Sequence, residues 1–215
     1  MNGNYIFSRR GIDTKRSLMF CAAALSTIVS AAHAQSLSGE DLVKALRRGG
    51  YVVVMRHASS PMQTPDAKTA NPDNINHERQ LDEQGRSTAT AMGKALRELK
   101  IPVGEVLSSP TYRALETVRL ALLGNPAPVA ELGDGGRGMQ ASTEAYAAWL
   151  RSRVTQFPAG TNTFLVTHFP NMSRAFPQLT ANLADGEALI FGPDGKGGAT
   201  LIARVKIEEW PRMPR

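Results

Sequence analysis

The chain has 215 residues, is 42% hydrophobic and 20% charged, and carries no internal repeat or low-complexity tract, so it fits one globular domain with room for a terminal extension. Its formal net charge is +6, yet no dense Lys/Arg stripe with interleaved aromatics occurs, which excludes nucleic acid as an expected partner. One cysteine excludes a disulfide framework.

The first 34 residues read differently from the rest. Arg9, Arg10, Lys15 and Arg16 form a basic patch, an uncharged stretch runs from Leu18 to Ala32, and Ala-His-Ala closes at Ala34. That is the layout of a secretory signal peptide cut after Ala34; the apolar run is too short for a comfortable membrane span. Without these residues, which hold four basic side chains and Asp13, the mature chain (35–215) keeps 21 basic and 18 acidic residues. Cys21 leaves as well, and with it any thiol nucleophile or cysteine metal site. No membrane span is expected in the mature chain, and a periplasmic or secreted location is.

Ser38 to Gly50 predicts a short helix stopped by two glycines. The apolar run Val52–Met55 predicts a buried strand that delivers Arg56 and His57 at its end. Ser59 to Gln80, rich in Pro, Asn, Asp and Ser, predicts a long loop, and Leu81 to Lys100 a helix with Asp82 as N-cap. Glu105–Ser109 predicts a strand, and Ser109–Gly124 a helix with Ser109 as N-cap, Pro110 at its first position and Gly124 as terminator. Thr143–Phe157 predicts a helix, Asn162–Pro170 an apolar strand ending in His168, with a short helix after Asn171. Glu187–Phe191 and Ala199–Trp210 bracket a turn-rich loop as a hairpin. Alternating strands and helices predict an α/β domain with a mostly parallel sheet, whose ligands sit beyond the carboxyl ends of the strands.

Three polar clusters fall at that edge: Arg56-His57, Ser108-Ser109 leading to Arg113, and Thr167-His168. Arg113, placed in the first turn of its helix, would add a bidentate donor to a helix N-terminus that attracts anions. Two histidines beside two arginines favour an anion site, and the cations oppose imidazolium formation, which leaves a neutral, nucleophilic histidine. No His-x-His or His-x-x-x-His pair occurs, so no metal and no other cofactor is expected; His77 reads as a surface residue.

These segments resemble the histidine phosphatase superfamily, which includes the cofactor-dependent phosphoglycerate mutases. Val52 to Pro61 (VVVMRHASSP) is similar to the signature strand and loop, which usually reads Arg-His-Gly. Leu107 to Val118 (LSSPTYRALETV) matches the Ser-Ser-Pro-x-x-Arg-Ala-x-x-Thr helix start. Phe164 to Pro170 (FLVTHFP) matches the segment of the second histidine, and Glu78 to Arg86 (ERQLDEQGR) the lead into the first long helix. The resemblance covers roughly Gly50 to Pro170. It implies a three-layer sandwich, a mostly parallel central sheet flanked by helices, with the phosphoglycerate mutase-like fold.

It also implies roles. His57 would be the nucleophile that becomes phosphohistidine, Arg56 and Arg113 would hold the phosphoryl oxygens, and His168 would stabilise charge in transfer. A carboxylic acid would protonate the leaving oxygen: Glu131, from its Glu-x-x-x-Gly spacing to Gly135, with Asp134 as competitor. Ala58 departs from the usual glycine, which bears on backbone shape and phosphate approach. The expected protein is an exported, histidine acid phosphatase-type phosphomonoesterase. Its partners would be a small-molecule or protein-linked phosphomonoester and inorganic phosphate. A mutase-like phosphotransferase and a catalytically weak phosphate-binding module are the alternatives. Specificity is expected in Ser59–Gln80 and Glu131–Ala141.

Overall fold

Val52 to Met55 are apolar without alternation because the strand they form is covered on both faces. The computed structural model describes residues 36–134 and 143–215; the leader, its cleavage point and the part of the specificity region from Gly135 to Ala141 lie outside the described residues. The first elements are α1 (Gly39–Arg48), β1 (Tyr51–Arg56), α2 (Glu83–Glu98), β2 (Val103–Ser108), α3 (Tyr112–Ala121) and β3 (Ala127–Pro128). They are followed by α4 (Glu144–Arg153), β4 (Asn162–Thr167), α5 (Phe169–Ala175), β5 (Ala188–Pro193) and β6 (Ala199–Val205), with 3-10 turns at Ala130–Leu132, Pro177–Leu179 and Ile207–Arg212.

The six strands make one sheet in the order β3-β2-β4-β1-β5-β6. The first four are parallel; β5 and β6 form the antiparallel hairpin at the other edge. Val53 and Met55 of β1 join Phe164 and Val166 of β4 in a core under α1, α2, α3 and Trp210. Val52 and Val54 join Leu165 in a second core under α4 and α5. This is the expected α/β arrangement of a mostly parallel sheet between two helical layers.

Local chemistry explains most boundaries. The Asp82 side chain accepts from Gly85 N and starts α2, and Thr143 does the same for α4 through Tyr146 N. Gly49, at φ 75°, ends α1 in a conformation that favours glycine. The start of α3 differs from expectation: its N-cap is Thr111, not Ser109, and it ends at Leu122 with φ 52°, two residues before Gly124. Ser109 is spent elsewhere, in the cluster described next. The short β3 was not anticipated, since two residues carry no periodicity.

Candidate active site

Parallel pairing puts three strand ends side by side. Arg56 is in register with Thr167, and His57 N donates to Thr167 O at 3.0 Å. Ser108 is in register with Val166, and Ser109 N donates to Val166 O at 2.8 Å. The three polar clusters therefore meet at the carboxyl edge of β2, β4 and β1.

His57 and His168 are 4% and 1% exposed, and their ring centroids lie 5.2 Å apart. His57 Nδ1 is 2.7 Å from the Ala58 carbonyl, which can only accept, so Nδ1 carries the proton and Nε2 the lone pair. Arg113 Nε donates to that Nε2 at 3.2 Å. Arg113 Nη2 donates to His168 Nδ1 at 3.1 Å and pairs with Asp134 Oδ2. His168 Nδ1 being an acceptor, its Nε2–H donates to Ser109 Oγ at 2.8 Å. Arg113 therefore touches both imidazoles at once.

Arg56 approaches from β1. Its Nη1 donates to Leu183 O at 3.2 Å, and its Nη2 forms an ion pair at 2.6 Å with Asp185, not aligned as a hydrogen bond. Its Nε is buried and has no acceptor among the described residues, an arrangement that is costly unless an anion takes the proton. A third arginine, which sequence reasoning did not single out, joins them. Arg79 Nε and Nη2 donate to Pro61 O and Ser60 O at 2.6 and 2.9 Å. Burial and the cation of Arg113 push it below its usual value.

The motif around α3 has a part-by-part explanation. Thr117 Oγ1 accepts from Ala58 N at 3.1 Å and donates to Arg113 O at 2.8 Å, tying the loop after β1 to the helix. The first N–H of α3, at Tyr112, is taken by the Glu78 carboxylate at 3.0 Å, so this helix terminus serves its own chain at that position. Buried Glu116 accepts from Leu81 N at 2.8 Å and from Asn71 Nδ2 at 3.0 Å, pinning the 59–80 loop; its burial, first among causes, raises its carboxyl.

The two candidate carboxylates are placed differently. Of the two carboxylates, Asp134 stands against the cluster, 3.4 Å from His168 Nδ1 and paired with Arg113. Among the described residues Glu131 contributes a long backbone contact, its carbonyl accepting from Asn171 Nδ2 at 3.4 Å. Spacing along a chain does not fix side-chain direction at a 3-10 turn. Ala58 does not adopt the positive φ that favours glycine. Among the described residues only His77, Lys100, Leu122 and Asn182 pair a side chain with positive φ, and the Ala58 methyl is fully buried in the α1–α3 core.

Burial, then the neighbouring His168, then Arg113 and Arg56, hold His57 well below an imidazole's usual 6.5, against its bond to Ala58. Burial and then Arg113, Arg79 and Arg56 do the same to His168. The sign follows: the folded state keeps both rings neutral while the unfolded chain takes up protons as pH falls through about 6.5, so acid favours unfolding. The melting temperature is expected to fall steadily between pH 7 and pH 5, before most carboxylates titrate. A flat profile in that window would contradict the neutral pair. Among the described residues no group of acids, histidines or cysteines forms a metal cluster, and no helix is long and apolar enough to cross a membrane.

Residues 52–134 match the family model of the histidine phosphatase superfamily (branch 1). The fold is similar to that of the protein histidine phosphatase SixA complexed with tungstate, at 16% identity and a TM-score of 0.55, over 74% of this chain and 98% of that one. It is also similar to a phosphoserine phosphatase mutant from Entamoeba histolytica in complex with phosphoserine, at 12% identity and a TM-score of 0.50, over 74% and 98%. The chain matches no curated protein.

Proposed function

Since the chain belongs to the histidine phosphatase superfamily, we propose that it hydrolyses a phosphomonoester through a phosphohistidine on His57. The observation that supports this best is the tautomer. With Nδ1–H held on Ala58 O, the Nε2 lone pair of a neutral, buried ring faces the Arg113 guanidinium. In the reaction Nε2 attacks phosphorus in line, the N–P bond forms and the P–O ester bond breaks. Arg113 releases Nε2 and, with the spare Nε–H of Arg56, takes the phosphoryl oxygens, a bidentate kind of recognition suited to arginine. The Nδ1–H bond to Ala58 stabilises the positive charge gained by the ring. Water then attacks phosphorus, the N–P bond breaks, and phosphate leaves with His57 restored. Most of the acceleration comes from placement and charge stabilisation.

The leaving oxygen needs a proton, and Asp134 is the acid we assign to it. Its ion pair with Arg113 is given up as that guanidinium turns to the phosphoryl oxygens. The carboxyl enters the reaction protonated, gives its proton to the leaving oxygen, and takes one back when water releases phosphate. Removing a general acid costs about a hundredfold to ten-thousandfold, most where the leaving group is a poor one. Asp134→Asn is expected to slow alkyl phosphates in that range and aryl phosphates far less, while Glu131→Gln stays within about twofold of wild type on both. Equal losses on the two substrate classes would remove Asp134 from the role. The function itself is tested by turnover of a generic aryl phosphate with EDTA present; phosphate binding without turnover would instead favour a binding module.

Export is part of the same proposal and rests on the leader pattern of residues 1–34. Amino-terminal sequencing of the periplasmic protein is expected to begin at Gln35. Recovery of an intact Met1 there would overturn it.

A further inference from the structure

Arg56 carries four rotatable side-chain bonds, and holding such a side chain still costs rotamer freedom. The chain that holds it comes from far along the sequence. Leu183 O accepts from Arg56 Nη1, Asp185 pairs with Nη2, Gly186 N donates to His57 O at 2.9 Å, and Glu187 O accepts from Arg56 N at 3.1 Å. One five-residue turn, 183–187, thus grips both the backbone and the side chain at the end of β1.

The turn is itself braced. The Glu187 side chain is only 4% exposed. Its Oε2 accepts from Ala184 N at 2.9 Å, closing the turn on itself, and its Oε1 accepts from Arg204 Nε at 2.7 Å and lies 2.7 Å from Arg204 Nη2. Arg204 sits on β6, in register with Leu189. Gly186, at φ +70°, leaves room for Ile207: a Cβ there would come within 2.8 Å of the Ile207 side chain. A buried carboxylate is retained only when paired and hydrogen-bonded, and this one's bonds close the turn that holds Arg56.

We propose that Glu187 and Arg204 are positioning residues for phosphate binding: the pair locks the 183–187 turn, and the turn presets Arg56. Neither side chain is placed by any bond against the imidazoles, so their effect on the site runs through Arg56. The catalytic readout rests on the phosphatase reading; the order of Arg56 does not.

Three measurements test it in the intact protein. Arg204→Met and Glu187→Gln are expected to weaken inorganic phosphate binding in calorimetry by about tenfold to a hundredfold, the usual penalty for a displaced positioning group. KM should rise more than kcat falls, and Arg204→Lys should recover part of the loss. In ligand-free protein the Arg56 Nε–H resonance should report an ordered side chain in wild type and a mobile one in both variants. If Arg204→Met does not fold, the isosteric Glu187→Gln decides. Wild-type phosphate affinity, or an Arg56 signal of unchanged order, in a folded variant overturns the proposal. If wild type neither binds phosphate nor turns over an ester, the phosphatase reading falls and the Arg56 signal still judges the positioning pair.

Discussion

Replacing His57 by alanine is expected to lower kcat for a generic aryl phosphate by at least about a thousandfold, the scale on which loss of a covalent nucleophile is felt. In the proposed mechanism Arg56, Arg113 and His168 bind the phosphoryl group and stabilise charge, and they remain in the variant, so KM and inorganic phosphate affinity should move far less than kcat. Affinity could even improve, because Arg113 Nε, which now donates to His57 Nε2, would be released to a phosphoryl oxygen. Wild type should form an acid-labile phosphoenzyme in rapid quench and the variant none. Equal rates for the two proteins would sink the nucleophile assignment. A loss carried by KM alone would make His57 a binding group instead.

Gly93→Ala is expected to be the most damaging single methyl in the domain. Gly93 lies inside α2, where alanine is favoured over glycine by up to about 1 kcal/mol on propensity alone. Tertiary contact reverses that preference. A Cβ on Gly93 would stand 1.8 Å from the Ala121 carbonyl oxygen and 2.4 Å from its carbonyl carbon, both backbone atoms at the end of α3. The same carbonyl accepts from Arg97 Nη1 at 2.9 Å, so it cannot move without giving up that bond. The helices must part, which loosens the packing of Met92 and Leu96 against Val118 in their shared core. Overpacking usually costs about 1–3 kcal/mol and sometimes more. We expect a net loss at the upper end, a drop of roughly 6–12 °C in melting temperature for a domain of this size. A variant as stable as wild type would show that α2 and α3 can separate cheaply.

Much of the fold was legible because its causes are local. The doubly buried β1 and β4 announce themselves as unbroken apolar runs; Asp82 and Thr143 cap helices with their own side chains; Gly49 stops α1. The first turn of α3 misled because Ser109 looks like a cap by local rules, while its hydroxyl instead accepts from His168 Nε2 across 59 positions. β3 is only two residues long and pairs with β2 through position alone.

The site divides the same way. Arg56, His57, Arg113 and His168 stood out because each follows a strand, and parallel strands deliver their ends to one edge. Arg79 gave no such signal: it lies in a polar loop, held by the Ser60 and Pro61 carbonyls, and its charge is felt at His168. Asp185 and the Glu187–Arg204 pair come from the hairpin side of the sheet, whose local pattern says nothing about a neighbour's arginine.

By itself, then, the sequence determined that this protein is an α/β domain presenting two histidines and two arginines at one sheet edge, since strand periodicity and residue order are properties of the chain. Only the tertiary structure decided which carboxylate faces them, that the Ala58 methyl is buried in the core, which imidazole nitrogen keeps its lone pair, and what holds Arg56. Those depend on side-chain direction and on bonds between residues far apart in sequence, and neither is written in local order.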